Sequence, residues 1–431
     1  MNPKAPSTVL TAETKPARVP KLRFPEFRGA EGWKSIPLSR LAIRAKQKNR
    51  DEKIGRVLTN SAEFGVVDQR DFFDKDIATQ GKLEGYFVVE LGSYVYNPRI
   101  SSTAPVGPIS KNKIGTGVMS PLYTVFKFKD DRNDFYEHFF KTTGWHTYMR
   151  QASSTGARHD RMAISSDDFM ALPLPVPSPD EQQKIAECLS SVDELMAAQA
   201  RKVDALKTHK KGLMQQLFPT EGETQPRLRF PEFQNAGEWE KMKIGDMLVE
   251  TQRPIELSDD AEFRLVTVKR RYGGLISRGI MKGREILVKS QFVVRAGDFL
   301  ISKRQIVHNA CGLVTQELDG SVVSNEYSVL TPKPGCSIEY FSWFAMQPAV
   351  SASFMNCSVG IVIEKMLFKL PAWLKHEFLF PTLPEQHRIA SYLSSLDALI
   401  TLETQKLEAL KTHKKGLMQQ LFPSPEETAD L

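Results

Sequence analysis

The sequence predicts an α+β protein made of two tandem globular α/β domains, each followed by a long helix, with the two helices pairing as an antiparallel coiled coil. Three observations carry this expectation. The chain repeats itself once, a heptad of apolar residues closes each copy, and short β-rich runs alternate with helical patches in between. At 431 residues and 48.7 kDa there is room for two or three units with cores of their own.

The repeat comes first because it fixes the architecture. Lys21-Leu-Arg-Phe-Pro-Glu-Phe27 returns as Arg227-Leu-Arg-Phe-Pro-Glu-Phe233, and a tryptophan follows each copy at the same distance, Trp33 and Trp239. Ala205 to Pro219 recurs letter for letter as Ala409 to Pro423. Upstream of it, Glu181/Glu385, Gln182/Gln386, Ile185/Ile389, Leu189/Leu393, Ser190/Ser394 and Asp193/Asp397 match. The middles diverge, keeping only sparse correspondences: Gly92/Gly297, Arg99/Arg304, Ser120/Ser324, Tyr123/Tyr327, Tyr136/Tyr340 and Gly156/Gly360. Near-identical ends suggest one job done twice, and divergent middles suggest two different targets.

A helix is expected to start at Pro179, with Asp180 or a neighbour capping and acidic residues in its first turn. Its seam is Ile185, Leu189, Val192, Met196, Val203, Leu206, Leu213 and Leu217, interrupted by polar Gln199 and Lys210. The second copy has Ile389, Leu393, Leu396, Ile400, Leu407, Leu410, Leu417 and Leu421, interrupted at the equivalent Glu403 and Lys414. Alternating steps of three and four make this a coiled-coil seam rather than the wider stripe of a surface helix. Residues 181 to 218 would span about 57 Å, and two narrow seams in one chain bury most simply against each other. The lysines within the seam call for a wet surface or an acidic partner. Asp180 stands where the second copy has Pro384, so the two starts are expected to be capped differently.

The middles read as mixed strand and helix. Gly85–Glu90, Tyr94–Tyr96, Leu122–Phe126, Phe299–Ile301 and Tyr327–Leu330 are β-rich runs bounded by Gly, Pro, Asn and Asp. Helical patches fall near Asp134 to Gln151 and Ile338 to Met355. The expected organisation is an arm over 1–20, a first domain over 21–178 and a helix over 179–219. A second domain over 220–382, with a short linker at its start, a second helix over 383–423 and a tail over 424–431 complete it.

Composition excludes several classes. Hydrophobic residues at 41% and charged residues at 25% are ordinary globular usage, and no apolar stretch approaches the roughly 20 residues that span a bilayer. Met1 to Pro20 lacks an apolar signal core. Cys188, Cys311, Cys336 and Cys357 form no C-x-x-C pair, which argues against a disulfide framework or thiolate zinc and fits a reducing cytoplasm. A net charge of +7 and a pI near 9.0 admit a polyanionic partner.

Enzyme signatures are missing. There is no phosphate-cradling G-x-x-x-x-G-K-[ST] loop, no H-E-x-x-H and no nuclease-type carboxylate arrangement. Tyr96-Asn-Pro-Arg99 lacks the second proline and the stacking aromatic of an adenine methyltransferase motif. His209 and His413 lie in identical helix segments and read as seam-flanking or partner-contacting. The chain is therefore expected to be non-catalytic and to bind no metal.

The basic clusters point to nucleic acid. Arg with Asn or Gln can read base edges bidentately, while Lys mainly holds phosphates. The candidates in the first middle are Lys46, Lys48, Arg99, Lys111, Lys113, Arg150 and Arg158. Those in the second are Lys269, Arg270, Arg271, Arg278, Lys303, Arg304 and Asn309. Recurrence at equivalent places, Arg99 and Arg304 above all, adds weight to each.

In combination, the paired Leu-Arg-Phe-Pro-Glu-Phe openings, the Pro-x-x-x-Glu-Gln-x-x-Ile-Ala helix starts (177–186 and 381–390) and the Leu-Lys-x-x-Lys-Lys-Gly-Leu-Met-Gln-Gln-Leu-Phe-Pro ends resemble the specificity subunit of Type I restriction-modification systems. The resemblance covers the chain after about Pro20. It implies that the middles are target recognition domains, each reading half of a bipartite double-stranded DNA sequence, and that the helices set the gap between half-sites. A helix longer than one DNA turn of ~34 Å suits that task. It also implies a non-enzymatic subunit organising two modification (methyltransferase) subunits, with S-adenosylmethionine and ATP/Mg on partner subunits and restriction subunits joining through them. Lys207, Lys211, Gln215, Lys411, Lys415 and Gln419, on the outer helix faces, are the expected docking residues. Two other readings stay open: a coiled-coil scaffold with protein-binding globular ends, and an enzyme with an unrecognised site.

Overall fold

The computed structural model describes residues 19–72, 83–153 and 160–423. Most of the expected arm, Arg158, Gly156 and the tail over 424–431 lie outside them.

The opening motif of each copy binds the start of that copy's own long helix. Arg23, from the first Leu-Arg-Phe-Pro, donates from Nε and Nη2 to the Glu181 carboxylate, 2.7 Å each, and Trp33 Nε1 donates to the same carboxylate at 3.2 Å. In the second copy Arg229 grips Glu385 with two bonds of 2.7 Å and Trp239 donates at 3.4 Å. The remaining guanidinium protons go to backbone carbonyls, Ala30 and Glu31 in one copy, Ala236 and Gly237 in the other. The side chains are 8% and 1% exposed in both pairs, so each carboxylate is withdrawn from water and fully satisfied by a planar fork. The buried Glu181 and Glu385 carboxylates in turn raise the pKa of Arg23 and Arg229. A backbone bond repeats beside each clasp, Leu22 to the Gln420 carbonyl and Leu228 to the Gln216 carbonyl, 2.9 Å in both.

The long helices run over Pro179–Gln216 and Leu383–Leu421. The Ser178 hydroxyl accepts the Glu181 N–H at 3.3 Å and caps the first. Proline at the first helical position suits this start, since its missing N–H would have no partner there.

The chain forms two units whose boundaries cut through both helices: the described residues up to Ala198 with those from Lys406 onward, and Gln199–Gln405. In the first unit, a four-stranded antiparallel sheet has the order Ala42–Arg44, Thr124–Phe128, Tyr94–Tyr96, Ile109–Lys111. The second repeats it as Leu248–Glu250, Tyr327–Pro332, Phe299–Ser302, Cys311–Leu313. A two-stranded ribbon leads into each long helix, Lys34–Pro37 with Pro173–Val176 and Glu240–Lys243 with Glu377–Phe380. Gly92 and Gly297 hold the left-handed turn before the matching sheet strands, φ 81° and 87°. Tyr123 and Tyr327 share hydrogen bonds with Thr59 and Thr267, 2.9 and 3.1 Å. The second unit adds a five-stranded sheet, order Pro254–Ile255, Gln291–Val293, Val322–Ser324, Glu262–Val268, Leu275–Lys282.

Both expected helical patches are broken in two. Asp134–Phe139 and His146–Ala152 flank a Thr-Thr-Gly turn, and Ile338–Phe344 and Pro348–Asn356 part where Pro348 starts a new helix.

All sixteen seam residues are buried or half-buried, but the seam ends do more than pair helix with helix. The first core gathers Trp33, Leu38, Tyr94, Phe126 and Phe135 with Ile185 and Leu189 of the first long helix and Leu421 and Phe422 from the end of the second. The second core gathers Trp239, Phe299, Tyr340 and Trp373 with Ile389 and Leu393 of the second helix and Leu213, Leu217 and Phe218 from the end of the first. Each such side chain contributes roughly 1.5–3 kcal/mol when fully buried.

The polar seam positions are matched. In the second unit Gln199 Nε2 donates to the Glu403 carboxylate at 2.6 Å and to its carbonyl at 2.8 Å, and Lys210 pairs with Asp397. In the first unit Lys414 pairs with Asp193. Thus Asp193–Lys414 and Asp397–Lys210 are one interaction occurring twice, while Gln199 and Glu403, equivalent in the repeat, bind each other. The helices are antiparallel at each of these points.

One repeated site differs in chemistry. His138 Nε2 lies 3.1 Å from the Ser190 hydroxyl, and Trp343 Nε1 donates to the equivalent Ser394 at 3.3 Å. Burial pushes His138 down to about 4, its Nδ1 has no partner, and it is neutral at pH 7.

Candidate nucleic-acid interface

In the second unit the chain brings distant basic residues together. Lys269 to Gly274 turns back on itself, with Arg271 and Tyr272 in the left-handed region (φ 57° and 55°) and Lys269 N–H donating to the Gly274 carbonyl at 2.9 Å. This turn is pinned to a second loop: Arg271 N–H donates to the His308 carbonyl at 2.7 Å and Tyr272 N–H to the Asn309 carbonyl at 2.9 Å. Arg270 Nε donates to Gln305 Oε1 at 2.7 Å, and Glu364 bridges Arg270 and His308, 3.3 Å to each. Lys269, Arg270 and Arg271 are exposed, with their backbone immobilised. Such a platform holds cations toward solvent without the entropy cost of ordering a loose loop.

The remaining expected residues of this unit divide by role. Arg278 is exposed and sits at a β-bulge, skipped by the register that pairs Ser277 with Val266 and Gly279 with Leu265. Bulges re-aim a side chain in this way. Arg304 is exposed and pairs with Glu326 at 2.7 Å. Lys303 is half-buried, its Nζ donating to the Asn325 carbonyl at 2.9 Å. Asn309 works for the loop: it ends a short helix at φ 58°, and its Oδ1 accepts from Ser351 at 2.8 Å.

In the first unit Lys111, Lys113 and Arg150 line one cleft of about 650 Å³, with His146 and Glu137. Lys111 pairs with Asp134 at 2.7 Å and lies 5.8 Å from the Tyr94 ring centre, its side chain only 13% exposed, so it is held within the fold. Lys113 is exposed and pairs with Glu137 at 2.8 Å. Arg150 is exposed, and burial, with Arg150 adding to it, lowers the pKa of His146. Lys46, Lys48 and Arg99 are exposed and do not line this cleft. Lys48 stands over the Phe87 ring at 5.9 Å, and Arg99 bridges to Arg161 through the backbone.

Lys207, Lys211, Gln215, Lys411, Lys415 and Gln419 are all exposed on the helices. The last three line a cleft of about 700 Å³ with Lys21, Lys141 and Lys414. Among the described residues no helix is long and apolar enough to cross a membrane, and no group of three potential ligands could hold a metal ion.

A family profile described as "Type I restriction modification DNA specificity domain" matches residues 236–412. The Type I restriction enzyme MjaVIII specificity subunit of Methanocaldococcus jannaschii is 22% identical over 336 residues, covering 73% of this chain and 74% of that protein. Residues 236–412 therefore carry a Type I restriction modification DNA specificity domain. A putative MjaX specificity subunit of the same organism is 24% identical over 286 residues, 61% of either chain. The fold of the chain is also that of the Type-I restriction-modification S subunit from M. genitalium (TM-score 0.55, 11% identity, 94% and 99% of the two chains). A chain from a type I R-M complex described for its assembly and conformational transition matches as well (TM-score 0.52, 15% identity, 91% and 98%). The profile covers the second copy, and the repeated clasps, sheet and helices carry the likeness into the first.

Sequence reading found the basic residues of this chain but missed Glu364, which binds Arg270 from 94 residues away and His308 from 56. No local pattern could have marked it.

Proposed function

We propose that the chain is a Type I specificity subunit that reads a bipartite double-stranded DNA target, one half-site with each middle, and does so without catalysis of its own. The observation that carries the reading is one scaffold occurring twice, down to individual hydrogen bonds, while the solvent-facing basic loops differ between copies. Two readers with different loops suit two different half-sites. Lys269, Arg270, Arg271 and Arg278 are the principal contacts of the second middle, and Lys46, Lys48, Arg99, Lys113 and Arg150 those of the first.

In this reading two methyltransferase subunits dock on the long helices, with Lys207, Lys211, Gln215 and their copies Lys411, Lys415 and Gln419 among the contacts. S-adenosylmethionine and ATP with Mg belong to the partner subunits, restriction subunits join through the methyltransferases, and the complex works in the cytoplasm. The test is methylome sequencing of a host carrying this chain and its neighbouring methyltransferase gene, against a strain lacking only this chain. A bipartite adenine-methylated motif that disappears on deletion is expected. An unchanged methylome beside an active methyltransferase would sink the reading.

A further inference from the structure

Beside the basic platform of the second unit stands an apolar tip that the fold does not use. Val359, Gly360, Ile361, Val362 and Ile363 follow one another. Ile361 is fully exposed, and Val359, Val362 and Ile363 are each more than half exposed. Surface isoleucines occur singly in most proteins, but a consecutive run of this kind marks a binding surface.

The tip is rigidly mounted. Its base is a two-stranded ribbon, Ser358 opposite Phe368 and Val359 opposite Leu367. Phe368 N–H donates to the Lys303 carbonyl and Lys369 N–H to the Cys357 carbonyl, 2.9 and 2.8 Å, which ties the ribbon to the loop bearing Arg304 and to the preceding helix. Two tight turns close it, Lys365 N–H to the Val362 carbonyl at 2.8 Å and Met366 N–H to the Ile363 carbonyl at 3.2 Å. Gly360 is required: its φ is 154°, and a Cβ there would meet Met366 Cα at 2.9 Å.

The tip is also tied to the basic turn. Glu364, directly after it, binds Arg270 and His308, and exposed Lys365 follows. An apolar point followed by Lys365 and tied through Glu364 to Arg270 of the basic turn has the chemistry of a wedge on a polyanion: cations hold phosphates while an aliphatic side chain enters between bases. We infer that Ile361, with Val362 and Ile363, presses into the base stack of duplex DNA at the half-site read by the second middle and partly unstacks one base step. This rests on the DNA reading above and adds a deformation component to its specificity, because the cost of unstacking depends on the step.

The experiment uses the full chain in complex with its methyltransferase and a duplex carrying the methylome-derived site, with 2-aminopurine placed in turn through that half-site. Methyltransferases flip their target base and brighten the probe there. A second bright position is expected, lost in the Ile361→Ser/Val362→Ser/Ile363→Ser chain while the target-base signal stays. Affinity should fall about tenfold with the salt dependence unchanged, whereas Arg271→Gln should lower the slope of log K against log salt by about 1. The substituted side chains lie in solvent, so an unchanged melting temperature verifies folding. Selective binding with no second bright position, or a triple variant that binds as tightly as the parent, overturns the wedge and leaves the DNA reading standing. A triple variant that instead loses the methyltransferase assigns the tip to a protein partner and overturns the wedge too. If the parent complex binds no site selectively, the DNA reading fails and the wedge falls with it.

Discussion

Glu181→Ala would leave the Arg23 guanidinium buried beside an empty space, with the Trp33 indole N–H also unpaired. Breaking a buried pair in this way costs about 3–5 kcal/mol, far more than an exposed pair such as Lys53–Asp51 could contribute. Urea unfolding of Glu181→Ala should show a midpoint well below that of Lys53→Ala. Asymmetry is expected at His138. Its value of about 4 lies below the ordinary histidine value of about 6.5, so between those values the unfolded chain takes up a proton that the folded unit refuses. Stability is full above pH 6.5, falls as pH drops through that interval, and has lost roughly 3 kcal/mol below pH 4. His138→Gln should flatten this acid limb in a melting-temperature profile, while Trp343, which does not titrate, gives the second unit no such limb. At this scale the sequence spoke unevenly. It marked Arg23, Glu181 and Trp33 as repeated, but their convergence across 158 residues is a tertiary fact that no spacing encodes.

Helices show the opposite balance, since a seam is a local pattern and its polar breaks were visible at Gln199, Lys210, Glu403 and Lys414. Polar seam residues fix register at a cost in stability. Gln199→Leu with Glu403→Leu should therefore raise the unfolding free energy by about 1–2 kcal/mol while weakening the preference for a single register, seen as line broadening in NMR spectra of the helix amides. Exchanging charges at Lys210 and Asp397 should cost under 1 kcal/mol in the double variant and more in either single one. Strands were legible where Gly, Pro or Asn bounded them, as at Tyr94–Tyr96 and Phe299–Ser302. The five-stranded sheet of the second unit was not, because exposed residues such as Arg278 and Ile280 interrupt the alternation that marks a half-buried strand.

For the whole molecule, the repeat conveyed the architecture, yet it suggested a helix placed after a finished domain, whereas each unit takes core residues from both helices. Removing residues 406–423 should accordingly damage the first unit rather than the nearer second one, seen as dye-binding apolar surface and loss of cooperative melting in the first. The same interlocking sets an order of events during synthesis. Phe422 packs against Trp33, Phe135 and Phe139, with ring centres 6.5, 5.2 and 5.9 Å apart. At roughly 5–20 residues per second, the tryptophan leaves the peptidyl-transferase centre some 20–80 s before the phenylalanine that covers it. The earliest domain to emerge is thus the last to be sealed, and for most of a minute its aromatic floor is a natural landing place for a chaperone.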